Sequence, residues 1–168
     1  MRNFNLLKAF LSALQTQIIN NNIFDSNCVQ LSLEDDITQI PQGTPALSIK
    51  ALAFNTLGWD TGGGASDLAI RGNIRFKIMV LNTLDVPYSD QSVISSTDTT
   101  LGVYELVDKL IELLEMLDIC DENGNTYCVE PMRFRSMDDA KRHKEFKDWV
   151  YIDVLFEVTI CQNTTNVS

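Results

Sequence analysis

Positive charge is in short supply in this sequence. Thirteen Lys and Arg face 23 Asp and Glu, for a formal net charge of -10 and a pI near 4.4. A chain so acidic is poorly suited to gripping DNA or an anionic membrane, because binding phosphate backbones depends on Lys and Arg displacing counterions. Histidine occurs once, as His143, among Lys141, Arg142 and Lys144. The cations of that stretch are interleaved with Asp138, Asp139, Glu145 and Asp148, so it nearly neutralises itself and reads as a solvated face. Neither a Cys-His nor a Ser-His dyad is prepared around it. The cysteines, Cys28, Cys120, Cys128 and Cys161, lack C-x-x-C spacing, which favours reduced, buried thiols over a metal or disulfide framework. Long apolar runs are missing too, and none approaches the roughly 20 residues of a membrane span. Met1-Arg2-Asn3-Phe4 leads to no small-residue cleavage site. The expectation is a protein that folds in a reducing cytoplasm with no membrane and no cofactor.

What the chain does carry is a final strand of unusual regularity. From Asp148 to Cys161 side chains alternate, and Val150, Ile152, Val154, Phe156, Val158 and Ile160 fall on one face. All six are apolar and either β-branched or aromatic. The opposite face, Trp149, Tyr151, Asp153, Leu155, Glu157 and Thr159, is mixed. A slip of one residue would exchange the faces, so the register is strongly specified. At 168 residues and 45% apolar, the chain is long enough to bury a real core as one domain spanning 1–168.

Residues 4 to 19 predict an amphipathic helix, with Phe4, Leu7, Leu11, Leu14 and Ile18 in one stripe and Leu6 and Phe10 beside it. Asn20-Asn21-Asn22 ends it. Residues 28–33 alternate as a short strand, and a second strand runs from Ala46 to Phe54. Residues 55–67, with Gly62-Gly63-Gly64, predict a flexible hairpin tip. A long strand follows with Ile74, Phe76, Ile78 and Val80 on one face, and Gly72 marks a bulge or bend at its start. The polar stretch 85–99 predicts a long loop. A second helix extends from about Thr100 to Asp118, capped by Asp98, Thr99 or Thr100, with a wide apolar face. Residues 121–125 form a turn. Residues 126–135 form a strand in which Pro131 demands an edge or a bulge. Residues 136–147 read as a charged connection with a helical turn at most, and 162–168 as a loose tail. The order of elements predicts an α+β fold, with a mainly antiparallel sheet, two helices on one face and a projecting β-hairpin.

Few stretches suggest chemistry. Asp60-Thr61-Gly62 matches the triplet of aspartic proteases, in which paired carboxylates activate water. One copy per chain would require a homodimer, and a flexible tip explains the residues better. Gly62-Gly63-Gly64 lacks the Lys-Ser/Thr of a phosphate loop. Asp121, Asn123 and Asn125 have the spacing that opens a calcium loop, but Thr126 stands where Gly is required and Met132 where the bidentate Glu belongs. Trp59 and Trp149 are candidate interface anchors, with local packing the alternative for Trp149.

The helix from Leu101 to Leu117, the strand Val129-Glu130-Pro131-Met132-Arg133-Phe134, and a last strand opening on Trp149 and then alternating come in a recognisable order. With an N-terminal helix leading into two strands, this order resembles the tail terminator (tail completion) and neck proteins of long-tailed bacteriophages. The resemblance implies a non-enzymatic virion protein assembled in the host cytoplasm. It would form a ring, usually a hexamer, that caps the tail tube and joins it to the head connector or stopper. DNA would pass through the lumen without specific binding, and a negative lumen would repel it. Trp59, Pro131, Arg133, Trp149 and Tyr151 are then candidate contacts to a neighbouring subunit or partner. Another head-tail joining or head-closure protein is the first alternative, and a dimeric aspartic protease using Asp60 the second.

Overall fold

The alternating C-terminal stretch becomes the strand against which most of the sheet is aligned. The computed structural model describes residues 2–32, 45–61, 68–83, 102–144 and 149–163, and side chains at 6–32, 45–55, 72–82, 102–144 and 149–161. Helix α1 spans Arg2–Asn20, and a single 3-10 turn, Ser26–Cys28, leads into β1, Val29–Leu31. Strands β2 (Ala46–Thr61) and β3 (Leu68–Thr83) precede helix α2 (Val103–Met116). Strands β4 (Arg133–Met137), β5 (Lys141–Arg142) and β6 (Trp149–Asn163) follow. The sheet runs β1-β2-β3-β6-β4, with β5 also on β6. All described pairings are antiparallel except β1 with β2, which is parallel. This is an α+β fold with a mainly antiparallel sheet.

Alternation decides the layers. Val150, Ile152, Val154, Phe156, Val158 and Ile160 of β6 are all buried, in one core with Ile74, Phe76, Ile78 and Val80 of β3. Both helices add to that core, so both lie on the same face of the sheet. α1 contributes Leu6, Phe10, Leu14 and Ile18, each fully buried and four residues apart. The buried line therefore runs through Leu6 and Phe10, and Leu7 and Leu11 flank it. α2 buries Val103, Leu106, Val107, Leu110 and Leu114, with Tyr104, Ile111 and Leu117 partly covered at its margins. Aromatic rings tie the layers together: Phe76 stacks on Phe156 at 5.5 Å between centroids, and Phe10 meets Phe76 edge-on at 6.2 Å.

Several expectations are corrected. Residues 55–61 are not irregular: β2 continues to Thr61, paired with β3 down to Leu68. β3 is itself paired along its length with β6, so its ladder holds residues 55–61 at the end of β2 extended. Only 62–67 of the expected tip lie outside the described residues, as does the loop at 85–99. Gly72 is inside β3 rather than at its start, and the register shift nearby falls on β2 between Thr56 and Gly58. Phe54 explains the glycine, because its ring lies where a Cβ on residue 72 would project. The first turn of α2 is capped by Gly102, whose carbonyl accepts from the Leu106 N–H at 3.0 Å, with no side-chain cap. Gln162 and Asn163 extend β6 instead of beginning a loose tail.

The segment 126–142 differs most. It follows the outer edge of β6 in three short pieces. The first pairs Cys128 with Ile160, flanked by Val129 N–H to Thr159 O at 2.9 Å and Cys161 N–H to Tyr127 O at 2.8 Å. β4 then pairs with Val154 to Glu157, and β5 with Val150 and Tyr151. Pro131 sits in the first gap, where its missing N–H breaks no ladder bond. The requirement for an edge is met, but the proline precedes the regular strand. The connection at 136–147 holds the end of β4 and all of β5, with no helical turn among its described residues.

Candidate interaction surface

α1 and α2 lie on one face of the sheet, and among the described residues no helix packs on the other face. Its chemistry is set by the second phase of each strand. Lys77 on β3 lies beside Asp153 on β6, Nζ to Oδ2 at 3.4 Å. Glu157 receives Arg135 Nε from the neighbouring strand at 2.8 Å and Arg75 Nε from β3 at 3.8 Å. The register shift in β4 between Phe134 and Ser136 falls at Arg135, the residue that makes the shorter contact. Arg133 pairs with Glu130 three residues before it.

These carboxylates are perturbed in opposite directions. The side chains are similarly shielded, 16% exposed for Asp153 and 17% for Glu157. Burial pushes the Asp153 carboxyl up, only partly offset by the charge and hydrogen bond of Lys77, and Asp138 pushes it the same way. Its Oδ1 is buried without a described hydrogen-bond partner. Burial also acts to raise Glu157, but hydrogen bonds from Asn73 and Arg135 and the charges of Arg135 and Arg75 outweigh it and hold the group below its ordinary value.

Toward the start of β6 the face becomes aromatic and apolar. Trp149 and Tyr151 pack against a second cluster of Cys28, Ala46, Met79 and Leu81. His143 is buried, against the expectation of a solvated ring. Its backbone N–H donates to Trp149 O at 2.9 Å, and its ring meets Trp149 and Tyr151 edge-on at 6.1 and 6.4 Å. Charge pattern alone hid this, because the pairing of β5 with β6 carries the next residue onto two aromatic rings.

The sequence-derived candidates are thus split among three places. Trp149 and Tyr151 are together, half-buried, in the aromatic cluster. Pro131 and Arg133 are exposed beside a small cleft of about 50 Å3 that Glu130, Arg135 and Glu157 also line. Glu157, the partner of Arg133 in the ladder, lies six positions along β6 from Tyr151, or about 20 Å of strand. Trp59 is in β2 opposite Ile70, and Asp60 opposite Ala69. Sequence reasoning missed the ion pairs, although Arg75 and Lys77 alternate in phase just as Asp153 and Glu157 do.

Elsewhere the turn at 121–125 is held by its own side chains. The Asp121 carboxylate accepts from the Asn123 and Asn125 N–H groups, both at 2.8 Å, and from Asn125 Nδ2 at 3.1 Å. Those bonds, the Asn125 side chain first, lower its pKa. Gly124 takes φ of +80°, which suits glycine. None of the four cysteines forms a disulfide; Cys28 is buried and the others are partly so. Burial raises Cys128 to about 11, with Asp118 and Cys120 acting in the same direction and a hydrogen bond from Ile119 against it. Among the described residues no group of three or more His, Cys, Asp or Glu is placed to hold a metal ion, and no helix is long and apolar enough to cross a membrane. An apolar groove of about 320 Å3 runs between α1 and the short β1, walled by Leu7, Leu11, Leu31 and Ile49 with Lys8 and Lys50 at its rim.

What the face opposite α1 and α2 and the sheet edges offer is electrostatic, aromatic and backbone contact. No protein-family model matches the chain, and no characterised protein matches its sequence.

Proposed function

We propose that this chain is a structural virion subunit, a tail terminator that closes into a ring at the head-proximal end of a phage tail tube. The ring would join the tube to the head connector or stopper protein and let DNA pass through its lumen. The observation that supports this most is the form of the sheet. A long three-stranded ladder of β2, β3 and β6 is backed by both helices on one face and bounded by short strands, β1 at one end and β4 and β5 at the other. The two boundaries differ in sequence and direction, so a contact of one boundary with the other is head to tail, the geometry that closes by rotation into a ring. The element order shared with tail terminators and the net charge of -10, which disfavours DNA adhering to the lumen, point the same way.

Native mass measurement on the purified chain, alone and with tail tubes, tests the reading. A closed oligomer, hexameric on the resemblance, that binds tube ends is expected. A monomer at high concentration that leaves tube ends uncapped would sink the proposal. A ring that binds a head connector but ignores tubes would favour a head-closure protein instead.

A further inference from the structure

Strand β2 is far longer than the strand beside it. Among the described residues β1 is the one strand on its outer side, and it pairs only from Leu47 to Ile49. A last bond, from Ser32 N–H to Ile49 O at 2.8 Å, ends the contact. β2 runs on to Thr61, paired with β3 on its inner side. Strand backbone alternates between its two edges, so after Ile49 the N–H and C=O of Ala51 are the next to face outward. The apolar groove of about 320 Å3 opens at this point, where β1 stops. Leu7 and Leu11 of α1 wall it with Leu31, Ile49 and Ala51, and the single methyl of Ala51 adds little bulk. Leu31 and Leu52, the latter next to Ala51 in the chain, are among the exposed large hydrophobic side chains. Lys8 is exposed at the rim with no ion pair among the described residues, and no acid precedes Asp25 in the sequence.

We infer that an extended peptide segment of a partner protein adds as a strand beside β2 where β1 leaves off. It places an aliphatic side chain in the groove and an acidic residue on Lys8. The inference goes beyond the ring reading and stands without it. Backbone chemistry selects the occupant. Outward N–H and C=O groups at strand spacing are satisfied by another extended chain, whereas a helix spends its backbone groups internally and an aliphatic acid has no such row to offer. Pairing then supplies affinity. The groove supplies the choice of side chain, because alternate residues of an added strand point to the face that α1 covers. Charge narrows the choice further: an acid beside the apolar residue meets Lys8, and a lysine there is repelled. Register shifts between Ala51 and Ala53 and between Thr56 and Gly58 break the edge into short runs, so it admits a few residues rather than a long strand.

The test uses the full chain and a short labelled peptide alternating leucine with glutamate, read by fluorescence anisotropy. The same peptide with lysine in place of glutamate should bind about tenfold more weakly, and Lys8→Glu should remove that preference. Ala51→Phe fills the groove and should weaken the glutamate peptide by about tenfold. Circular dichroism confirms that both variants are folded. Methylating the backbone nitrogens of the leucines in one peptide, and of the glutamates in another, leaves every side chain in place. One of the two should lose binding, because one set of N–H groups faces β2. Methylated peptides that both bind like the parent would overturn strand addition. Displacement of the peptide by decanoate at equal concentration would assign the groove to a free aliphatic acid instead. A wild-type chain that binds neither unmethylated peptide would overturn the inference and leave the ring reading untouched. Wild-type oligomers that Ala51→Phe disperses, by native mass measurement, would give the site to a second copy and overturn the partner assigned here.

Discussion

Gly72 shows how one residue type can carry a packing requirement. It pairs with Ile160 and Thr56 inside a three-stranded ladder, and the ring of Phe54 occupies the space its side chain would need. Gly72→Ala should therefore destabilise the protein by roughly 1–3 kcal/mol through overpacking. Urea denaturation reads the loss, and adding Phe54→Leu to that variant should recover part of it. The paired carboxylates of β6 make a prediction of opposite signs. Glu157 is held below its ordinary value of 4.5, so its contribution is present above that value and lost as pH falls through the folded pKa. Asp153 is held above its ordinary 3.8, so its contribution is complete below that value and lost as pH rises through the folded pKa. Glu157→Gln should make the acid decline in stability shallower than in the parent, and Asp153→Asn should make it steeper. Stability measured in steps from neutral pH toward about pH 3 separates the two; parallel curves would contradict the assignment.

Among the elements, α1 depends most visibly on one side chain. Phe10 is fully buried and meets both Phe76 of β3, at 6.2 Å, and Tyr127 of the segment before β4, at 6.4 Å. It thus joins the first helix to the sheet and to the C-terminal half. Phe10→Ala should cost about 3–5 kcal/mol, where removal of the exposed Lys8 side chain should cost little. Thermal or urea unfolding checks both. The edges carry protection appropriate to their lengths. Gln15 Nε2 of α1 donates to Val29 O at 2.9 Å, occupying a carbonyl of β1, and β4 carries a register shift and two arginines. Such features discourage indiscriminate strand addition while leaving room for a chosen contact.

For the whole molecule, the proposed ring is argued from how the edges of the sheet are placed, and native mass measurement decides it. The sequence by itself determined the parts whose pattern is local. The alternation of β6 and β3, the two amphipathic helices, the turn at 121–125 and the α+β class could all be read, because strand and helix periods are written into neighbouring residues. Tertiary structure decided what depends on partners distant in the chain. Residues 55–61 at the end of β2 are extended because β3, itself paired along β6, supplies their hydrogen bonds. β1 runs parallel to β2 because the pairing is settled between segments, and no local pattern encodes it. His143 is buried because β5 places it beside Trp149 and Tyr151. The ion pairs on the face opposite α1 and α2 arise the same way: each charge was visible in the sequence, but only the register of three strands brought Arg75, Arg135 and Glu157 together.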